Sequence, residues 1–494
     1  MKSTIYKRLT AIWLSVFLTS CNSFLDELPD ARTEIDTPEK IQELLVGAYP
    51  DALYIDICET MSDNAGDKTN VSESSQLNTD MYLWRTNNEI DKHDTPTFYW
   101  KRAYEAIANA NQALEYIEQI ANEEKYNYLK GEALVARAYA HFMLGVLWCK
   151  PYSDTASSDL GLPYVTKPEK KVFEKYERIP LDKFYDAIEK DLTEGLPLID
   201  NSKYSKPKFH FTKEAAHAFA SRFYLMKGDW DKVIEHSTEA LGDNIVGKLR
   251  NRKADLALTY YEIQYKYASI DEPANILIAG ANSAYARNIL YNKYGLTYEI
   301  SQSLVDGNHH PLKKYRVRWV YRYFGGTDYR NYPKVNEYFK YDNVSSNIGD
   351  AYVMATLFSY DEVLLNRMEA YAMKGERAKF VADLNIYFRP KTSTTVNGNI
   401  VESHIDDQYN GLGTELSPAY SLSKTQREWV ECVIGMRRVE FVQEGLRWFD
   451  IKRMGIKVTH VKDDETLELP KDDPRRELQI PVDAIANGLT PNPR

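Results

Sequence analysis

The sequence predicts a mostly α-helical protein in which tetratricopeptide-like helix pairs carry a large loop-rich, partly β face. Three observations predict this fold class: apolar residues recur at helical spacing, glycine turns separate paired stripes of this kind, and long irregular stretches interrupt them. The irregular stretches are rich in Asn, Gly, Pro and Tyr and cover residues 61–95, 150–180, 200–212, 250–350 and 391–420. Insertions on a helical repeat gather on one face, so we expect the ligand to bind there.

The helix predictions follow from the apolar stripes. In 99–120 and in 130–148, apolar residues fall on one face of a helix. In 215–241 a first stripe stops at Gly228 and a second begins shortly afterwards, which predicts two antiparallel helices joined by a tight turn. The segment 360–388 repeats this pattern around Gly375. Because the copies do not follow a fixed period of about 34 residues, we predict an interrupted helical array.

The N-terminus has the layout of a secretory signal, with basic residues before the short apolar stretch Leu9–Leu18. This stretch is too short to span a bilayer. It ends in Leu-Thr-Ser-Cys, which resembles a bacterial lipobox, so we expect removal of residues 1–20 and acylation of Cys21. The lipid anchor would then hold the mature protein at a membrane. A plain signal peptide with an incidental cysteine is the alternative.

Net charge argues against a nucleic-acid partner. The chain has 62 Lys and Arg against 72 Asp and Glu, and the first twenty residues include three of the basic residues, so the mature chain would carry a net charge of −13. Binding of nucleic acid requires a basic face. We therefore expect no nucleic acid among the partners.

Motifs of common enzymes and cofactor sites are missing from the sequence. It contains no H-E-x-x-H, G-x-S-x-G, P-loop or G-x-G-x-x-G. Cys58, Cys149 and Cys432 lack the spacing of a zinc or redox site, and we expect at most one disulfide among them. The adjacent His309 and His310 are more typical of a solvated turn than of a metal site. We expect no cofactor, no metal and no catalysis, although paired glycosidase carboxylates stay an alternative because their separation is spatial.

Aromatic residues give the strongest hint of a binding face. The chain has 37 tyrosines, concentrated in 258–340. Tyrosine and tryptophan combine a flat apolar ring with a polar edge, which suits a partly hydrated surface for sugars or peptides. For most of these tyrosines, loop packing is the simpler interpretation.

Two tryptophans in irregular segments are our predicted ligand-stacking residues. Trp84 lies with Tyr82 and Arg85 in a polar stretch, and Trp319 lies with Arg318 and Tyr321 in another. A ring flanked by hydrogen-bonding side chains can bind both the faces and the hydroxyl groups of a sugar. The other residues that we assign to this site are Asn64, Asp67 and Tyr285. For Asn64 and Asp67 an Asx turn is the first interpretation, and for both tryptophans loop packing is the alternative.

The C-terminal region carries a family resemblance. The segment 429–455, WVECVIGMRRVEFVQEGLRWFDIKRMG, resembles the motif R-R-x-E-L-x-x-E-G-x-R-[WF]-x-D-[LI]-x-R of SusD/RagB-family lipoproteins. The motif positions are occupied by Arg437, Arg438, Glu440, Glu444, Gly445, Arg447, Trp448, Asp450, Lys452 and Arg453. Segments 100–111, 358–375 and 478–494 also resemble family segments, so the resemblance covers essentially the whole chain. It departs from the family at 366–368 and in its last residues.

The motif residues themselves predict a structural role. Glu440 and Glu444 are spaced one helical turn apart, and Gly445 suits the position just after a helix. Arg447 and Asp450 would lie on the next short helix. Interleaved opposite charges favour an ion-pair network that joins two helices, and the alternative is a catalytic pair formed by Glu444 and Asp450.

The resemblance implies an outer-membrane lipoprotein facing the cell exterior, which captures a glycan and delivers it to a partner SusC-like TonB-dependent transporter. Asn22 after the cysteine fits outer-membrane sorting. A peptide-binding RagB-like lipoprotein, a surface-anchored hydrolase and a pure envelope scaffold are the alternatives. We divide the chain into a signal peptide (1–20), an N-terminal region with helix pairs (21–250) and a C-terminal region with the ligand face and the 429–455 block (251–494).

Overall fold

The computed structural model describes residues 37–71, 74–90, 92–120, 124–169, 174–306, 312–393 and 399–494. The predicted signal peptide and Cys21 lie outside the described residues, and so does the His309–His310 pair. The helices, numbered α1 to α19 in chain order, are Pro38–Val46, Ile55–Met61, Gln76–Tyr82, Pro96–Gln119, Asn127–Trp148, Leu181–Gly195, Lys213–Lys227, Trp230–Leu241, Ile245–Lys248, Arg252–Asp255, Tyr260–Tyr267, Tyr285–Tyr291, Tyr298–Asp306, Tyr360–Lys374, Arg377–Phe388, Glu402–Tyr409, Lys424–Glu440, Leu446–Arg453 and Val482–Ala486.

The strands are short and few in the described part of the chain. Numbered β1 to β9, they are Gly66–Asp67, Asn275–Asn282, Tyr294–Gly295, Arg318–Trp319, Glu337–Asn343, Ile348–Ser359, Thr392–Ser393, Val458–Lys462 and Glu465–Leu469. The largest sheet has three antiparallel strands in the order β2-β6-β5. The other sheets pair β1 with β3, β4 with β7 and β8 with β9. The mostly α fold with a partly β insertion is therefore confirmed.

Both predicted helix pairs are present. Helix α7 ends at Gly228, whose φ of 78° is left-handed, and α8 follows at once. Helix α14 ends in the same way at Gly375, with φ 70°, before α15. Each first helix is capped at its N-terminus by a hydroxyl, that of Thr212 for α7 and that of Ser359 for α14. Glycine tolerates the left-handed conformation without a steric cost, which explains why the turn positions could be read from the sequence.

A buried ion pair joins the two helix pairs. Arg222 on α7 donates to the carboxylate of Glu362 on α14, with an Nη2–Oε2 distance of 2.6 Å, and both side chains are 2% exposed. A second Arg222 hydrogen bond, also 2.6 Å long, reaches the carbonyl oxygen of Leu357 on β6. The guanidinium lies 4.0 Å from the ring centre of Phe358. The helix pairs and the three-stranded sheet therefore meet at this arginine.

Two predicted irregular stretches contain more order than expected. Residues 61–95 include the helix α3, and residues 250–350 include four short helices and most of the main sheet. The helices there are too short to show a sustained period in the sequence. One main apolar core extends from Ile41 to Leu489 and takes residues from both halves of the chain, and the division at residue 250 stays a prediction.

Within the described residues, no helix combines the length and apolar character that crossing a membrane requires. Cys58, Cys149 and Cys432 are buried and form no disulfide. Burial raises the pKa of each thiol. The three cysteines are therefore buried free thiols.

Candidate functional site

Five tyrosines from three irregular segments lie on one part of the surface. We call this group the tyrosine surface: Tyr260, Tyr261, Tyr291, Tyr298 and Tyr329. The most exposed rings are those of Tyr261 (67%) and Tyr291 (63%), followed by those of Tyr329 (47%) and Tyr298 (43%). Large exposed aromatic rings are unusual for a folded chain when they occur side by side, and such patches commonly bind ligands.

Ring contacts connect the members of the tyrosine surface. The Tyr291 and Tyr329 ring centres are 5.9 Å apart at an interplanar angle of 69°. The Tyr260 and Tyr261 ring centres are 5.3 Å apart. Burial raises the pKa of the Tyr260 phenol, and the nearby phenols of Tyr261 and Tyr291 raise it further, which places Tyr291 close to this pair.

A tight loop presents Tyr329. The backbones of Phe324 and Asn331 exchange two hydrogen bonds of 2.8 and 3.0 Å, and this bridge closes the loop. Between them Gly325 has φ 84°. A Cβ at Gly325 would lie 1.8 Å from the Tyr329 carbonyl oxygen, so only glycine fits. The two consecutive glycines, Gly325 and Gly326, hold the Tyr329 ring outward.

Helix α12 presents Tyr291 at its last position, and buried charges hold both helix ends. At the start, the Asp94 carboxylate accepts hydrogen bonds from the Ser283 hydroxyl (2.6 Å) and the Ala284 N–H (2.9 Å). At the end, the Lys68 ammonium donates to the carbonyl oxygens of Ile289 and Leu290 at 3.0 and 3.3 Å. A carboxylate at the start and a cation at the end match the dipole of the helix.

Burial shifts the pKa of both anchoring groups. It raises the pKa of Asp94 to about 7 and lowers that of Lys68 to about 8. Each shift reflects the cost of keeping a charge away from water. Both groups therefore titrate close to neutral pH.

Arg330 links Tyr298 to the rest of the tyrosine surface. Its guanidinium lies 5.1 Å from the Tyr298 ring centre and donates a 2.8 Å hydrogen bond to the Ser301 hydroxyl. The neighbouring Asn331 amide donates to the Tyr260 hydroxyl at 3.2 Å. Arg330 and Asn331 therefore connect the Tyr298 and Tyr260 rings to the loop that carries Tyr329.

Polar groups border the exposed rings. The Asn70 amide donates to the Asp328 carboxylate at 2.8 Å on the exposed side of the Tyr329 loop. The combination of flat rings with amide, carboxylate and guanidinium groups can stack on sugar faces and bond their hydroxyls.

The residues of the 429–455 block form a buried ion network. Glu440 lies at the end of α17. Its Oε1 lies 2.8 Å from Arg252, while its Oε2 lies 3.0 Å from Lys391 and accepts from the Tyr387 hydroxyl at 2.8 Å. Burial opposes ionisation, but the Lys391 and Arg252 cations hold the pKa of Glu440 well below its usual range. Glu444 pairs with Lys334 at 2.5 Å.

The second half of the block joins three distant segments. Arg437 donates to Asp450 at 3.0 Å, and Asp450 also pairs with Arg453 at 2.7 Å. Arg447 donates to the Asp63 carboxylate at 2.8 Å, and Arg438 lies 3.2 Å from the same carboxylate. Trp448 and Lys452 are buried here. The carboxylates of Glu440, Glu444 and Asp450 are each paired with buried cations, which is the arrangement of a structural network.

Two details of this block differ from the prediction. Helix α17 ends at Glu440, so Glu444 is in the following turn and not one helical turn further along. Gly445, with φ 78°, caps the start of α18, and its N–H donates to Glu59 at 2.8 Å. Packing also favours glycine at this position, because a Cβ at Gly445 would lie 3.0 Å from the Tyr54 ring.

Comparison with known proteins shows a similarity to one family. Residues 23–225 match the SusD-like family described as starch-binding associating with outer membrane. Over these residues the chain is similar to SusD-like proteins. Among its SusD relatives are two proteins of Formosa agariphila: SusD-like protein P2, 23% identical over 74% of this chain and 72% of the relative, and SusD-like protein P38, 22% identical over 88% of each.

Solved SusD structures share the fold. A SusD superfamily protein of Bacteroides thetaiotaomicron aligns with a TM-score of 0.65 and 19% identity over 93% of this chain and 100% of that protein. A SusD-like carbohydrate binding protein of Bacteroides vulgatus aligns with a TM-score of 0.59 and 17% identity over 93% of each chain. The SusD fold is therefore shown for this chain.

The predicted stacking residue Trp84 is buried in the SusD core. It is 4% exposed, its indole N–H donates to the Met61 carbonyl at 2.9 Å, and its ring stacks on His460 at 4.5 Å. Tyr82 is also buried, and its ring stacks on His460 with ring centres 4.0 Å apart. We therefore correct the prediction: neither ring presents a face to a ligand, and only Arg85 of this group is exposed.

The second predicted group is corrected in the same way. Trp319 is 5% exposed and packs edge-on against Phe388 and Tyr387. Tyr285 is buried, with its hydroxyl donating to the Gln443 carbonyl at 3.2 Å. Tyr321 is half-buried and donates to Glu440 at 3.0 Å, so its hydroxyl belongs to the ion network. Arg318 is exposed.

Asn64 and Asp67 also have structural partners. The Asn64 N–H donates to the Ser62 hydroxyl at 3.1 Å, and its side-chain oxygen accepts from Arg438 at 2.9 Å. Asp67 lies 3.6 Å from Lys293. Asn64 is buried, which removes it from a ligand site, while Asp67 is half-buried.

A large groove lies elsewhere, along α4. It has a volume of about 910 Å³ and is bordered by the segment 163–169 and by the C-terminal residues 484–489. Its central ring, Trp100, is only 8% exposed. Asn111 and Tyr104 already donate to backbone carbonyls of the bordering segment, at 3.1 and 3.4 Å. The groove is lined by charged side chains such as Lys101, Glu105 and Lys167, but its tryptophan is buried, so we prefer the tyrosine surface, where several exposed rings contact one another.

Sequence reasoning pointed to the region that contains the tyrosine surface but selected rings that are buried. The concentration of tyrosines in 258–340 contained all five members of the tyrosine surface. A local signal for Tyr329 was available in the adjacent Gly325-Gly326, which predicts a tight turn that exposes its neighbours.

Proposed function

We propose that this SusD-like protein is a surface-exposed, lipid-anchored binding protein that captures an oligosaccharide at the tyrosine surface and delivers it to a TonB-dependent outer-membrane transporter. The observation that supports this most strongly is the exposed, mutually contacting pair Tyr291 and Tyr329. The description of the matching family as starch-binding supports a carbohydrate ligand. The carbohydrate-binding neighbour of known structure supports it as well.

The proposed role is binding without turnover. The motif carboxylates Glu440, Glu444 and Asp450 are paired with buried cations, as Glu444 is with Lys334. On the tyrosine surface, Asp328 is bound by an amide of the same surface. This arrangement favours a binding role over the hydrolase alternative.

The direct test of binding is calorimetric titration of the mature protein with neutral and acidic oligosaccharides. Tyr291→Ala and Tyr329→Ala should each weaken binding by about 1–3 kcal/mol, the cost of losing a stacked ring at a binding hot spot. Tyr341→Ala is the matched control, because Tyr341 is 50% exposed on the hairpin of β5 and β6. Wild-type affinity in both variants would contradict the site, and binding of a peptide pool in place of glycans would support the peptide alternative.

The anchor and the transporter are tested separately. Cys21→Ala should release the protein from the outer-membrane fraction or block its processing, since stable attachment needs the acyl chains. Purification from native membranes in mild detergent should retain a barrel protein bound to the helical side. Unchanged surface attachment of the Cys21 variant, or purification without any barrel, would contradict the respective part of the proposal.

A further inference from the structure

We infer that the glycan bound at the tyrosine surface is anionic, and that its carboxylate or sulfate groups bind a row of exposed arginines that adjoins the surface. This inference rests on the proposed function and names its ligand class. We call the row Arg316, Arg318 and Arg322 the arginine strip.

The arginine strip begins at Arg316, which has a left-handed φ of 56°, and continues along the extended segment that follows it. Val317 and Trp319 are buried, at 0% and 5% exposure, while Arg316, Arg318 and Arg322 are exposed. Successive side chains of an extended chain point to opposite faces. The inward face of this segment therefore joins the core, and the outward face carries guanidinium groups.

The arginine strip leads directly to the tyrosine surface. The Arg322 guanidinium lies 4.8 Å from the ring centre of Phe324 and donates to the Leu258 carbonyl at 3.4 Å. Phe324 in turn contacts Tyr260 edge to face, with ring centres 5.3 Å apart. A chain of sugar rings lying on the tyrosines would therefore continue along Arg322 towards Arg318, about 13 Å further on at the rise of an extended strand.

Charge around the strip differs from that of the rest of the chain. Residues 313–330 contain six basic residues and one acidic residue, although the whole chain has ten more acidic than basic residues. Within the described residues, no carboxylate lies at ion-pair distance from the three arginines of the strip. The neighbouring Lys314, by contrast, is paired with Asp407 at 3.2 Å. Surface cations that protein carboxylates do not neutralise attract anionic ligands.

Two further cations extend the positive region. A depression of about 190 Å³ beside β7 is lined by Lys253 and Arg389, together with Val317 at the base of the strip. Both cationic side chains are exposed. Arginine binds planar carboxylates and sulfates through two parallel hydrogen bonds, which makes it better suited than lysine to recognise such groups on a sugar.

The test is calorimetric titration of the mature protein with three oligosaccharides of equal length: maltoheptaose as the neutral probe, heptagalacturonate as the carboxylate probe and a sulfated carrageenan oligosaccharide as the sulfate probe. We expect one anionic probe to bind at least about tenfold more tightly than maltoheptaose, with an affinity that falls as salt is added. Whichever anionic probe binds identifies the recognised group.

The variant for this test is Arg318→Gln/Arg322→Gln. It should weaken the anionic probe at least about tenfold and leave maltoheptaose unchanged, since each charge-assisted bond is worth about a tenfold change or more. Arg102→Gln is the matched control, because Arg102 also lies over a phenylalanine ring, Phe98 at 5.0 Å, but on α4. Unchanged melting temperatures would show that all variants fold.

The outcomes separate the two proposals. Equal affinity for neutral and anionic probes, lost in Tyr291→Ala, would overturn the anionic ligand and leave glycan binding standing. Full affinity of the double arginine variant for the anionic probe, or tighter binding of a polyglutamate peptide than of either anionic glycan, would also overturn it. If none of the glycans binds, the proposed function fails and the inference fails with it.

Discussion

The ammonium group of Lys68 donates a 3.0 Å hydrogen bond to the carbonyl oxygen of Ile289, in the last turn of the helix that presents Tyr291. Lys68 is 3% exposed and belongs to a segment more than two hundred residues earlier in the chain. A buried lysine therefore fixes the position of an exposed tyrosine. Two of the predictions below concern such supports of the tyrosine surface.

Replacing Lys68 should loosen this support. Lys68→Met keeps the length of the side chain but removes the hydrogen bonds to the end of α12, so we expect a loss of about 1–3 kcal/mol in the free energy of unfolding. Glycan affinity should fall as well, because Tyr291 loses its fixed position. Urea unfolding and calorimetric titration measure the two effects. Lys462→Met, at an exposed lysine, is the control, and equal behaviour of both variants would contradict the role of Lys68.

The two glycines of the Tyr329 loop give a matched pair. Gly325→Ala should distort the loop, because the added Cβ would lie 1.8 Å from the Tyr329 carbonyl oxygen, whereas a Cβ at Gly326 meets nothing within 4 Å. Both residues have positive φ, so Gly326→Ala should cost only about 1 kcal/mol of stability. Gly325→Ala should in addition abolish binding. Similar glycan affinities of the two variants would argue against a defined loop geometry.

Glu440→Gln tests the structural interpretation of the family motif. The substitution leaves Arg252 and Lys391 buried without their carboxylate, which should cost about 3–5 kcal/mol of stability. Glu402→Gln is the control, since Glu402 pairs with Arg377 at the surface, where ion pairs are worth at most about 1 kcal/mol. A Glu440→Gln variant as stable as the wild type would contradict the structural interpretation.

Glu431 should make stability depend on pH. Burial, together with the neighbouring Glu415 carboxylate, raises its pKa to about 8. The folded protein thus keeps a proton that the unfolded chain releases near pH 4.5, so this group lowers stability progressively as the pH rises from about 4.5 to about 8.

Glu431→Gln removes this effect. It should match the wild type at pH 5 and exceed it by about 1–3 kcal/mol at pH 8.5. Urea unfolding at the two pH values measures the difference. A constant difference between variant and wild type at both pH values would contradict the raised pKa.

The helical scaffold could be predicted well from the sequence because the patterns that mark its helices and turns are local. Gly228 and Gly375 mark the turns of both helix pairs, and the apolar stripes on either side mark the packed faces. The three-stranded sheet was predicted only as a partly β face. Strand β2 pairs with β6, which lies about seventy residues or more further along the chain, so no local sequence pattern indicates this pairing.

Which aromatic rings are exposed depends on distant partners. Trp84 looked like a loop residue, but it packs against His460 from the far end of the chain. Tyr329 and Tyr332 are close in sequence, yet Tyr332 is buried because its N–H and hydroxyl bond to Gln443 and Arg252, while Tyr329 has no such partner inside the fold. Composition indicated a tyrosine-rich region, and only the fold could separate its exposed tyrosines from the buried ones.

The location of the ligand is the central claim, and a crystal structure of the mature protein with a bound oligosaccharide tests it most directly. The tyrosine surface predicts sugar rings stacked on Tyr291 and Tyr329, with hydroxyl groups bonded to Asn70, Asp328 or Arg330. Sugar bound in the groove along α4, with both tyrosine rings left free, would contradict it.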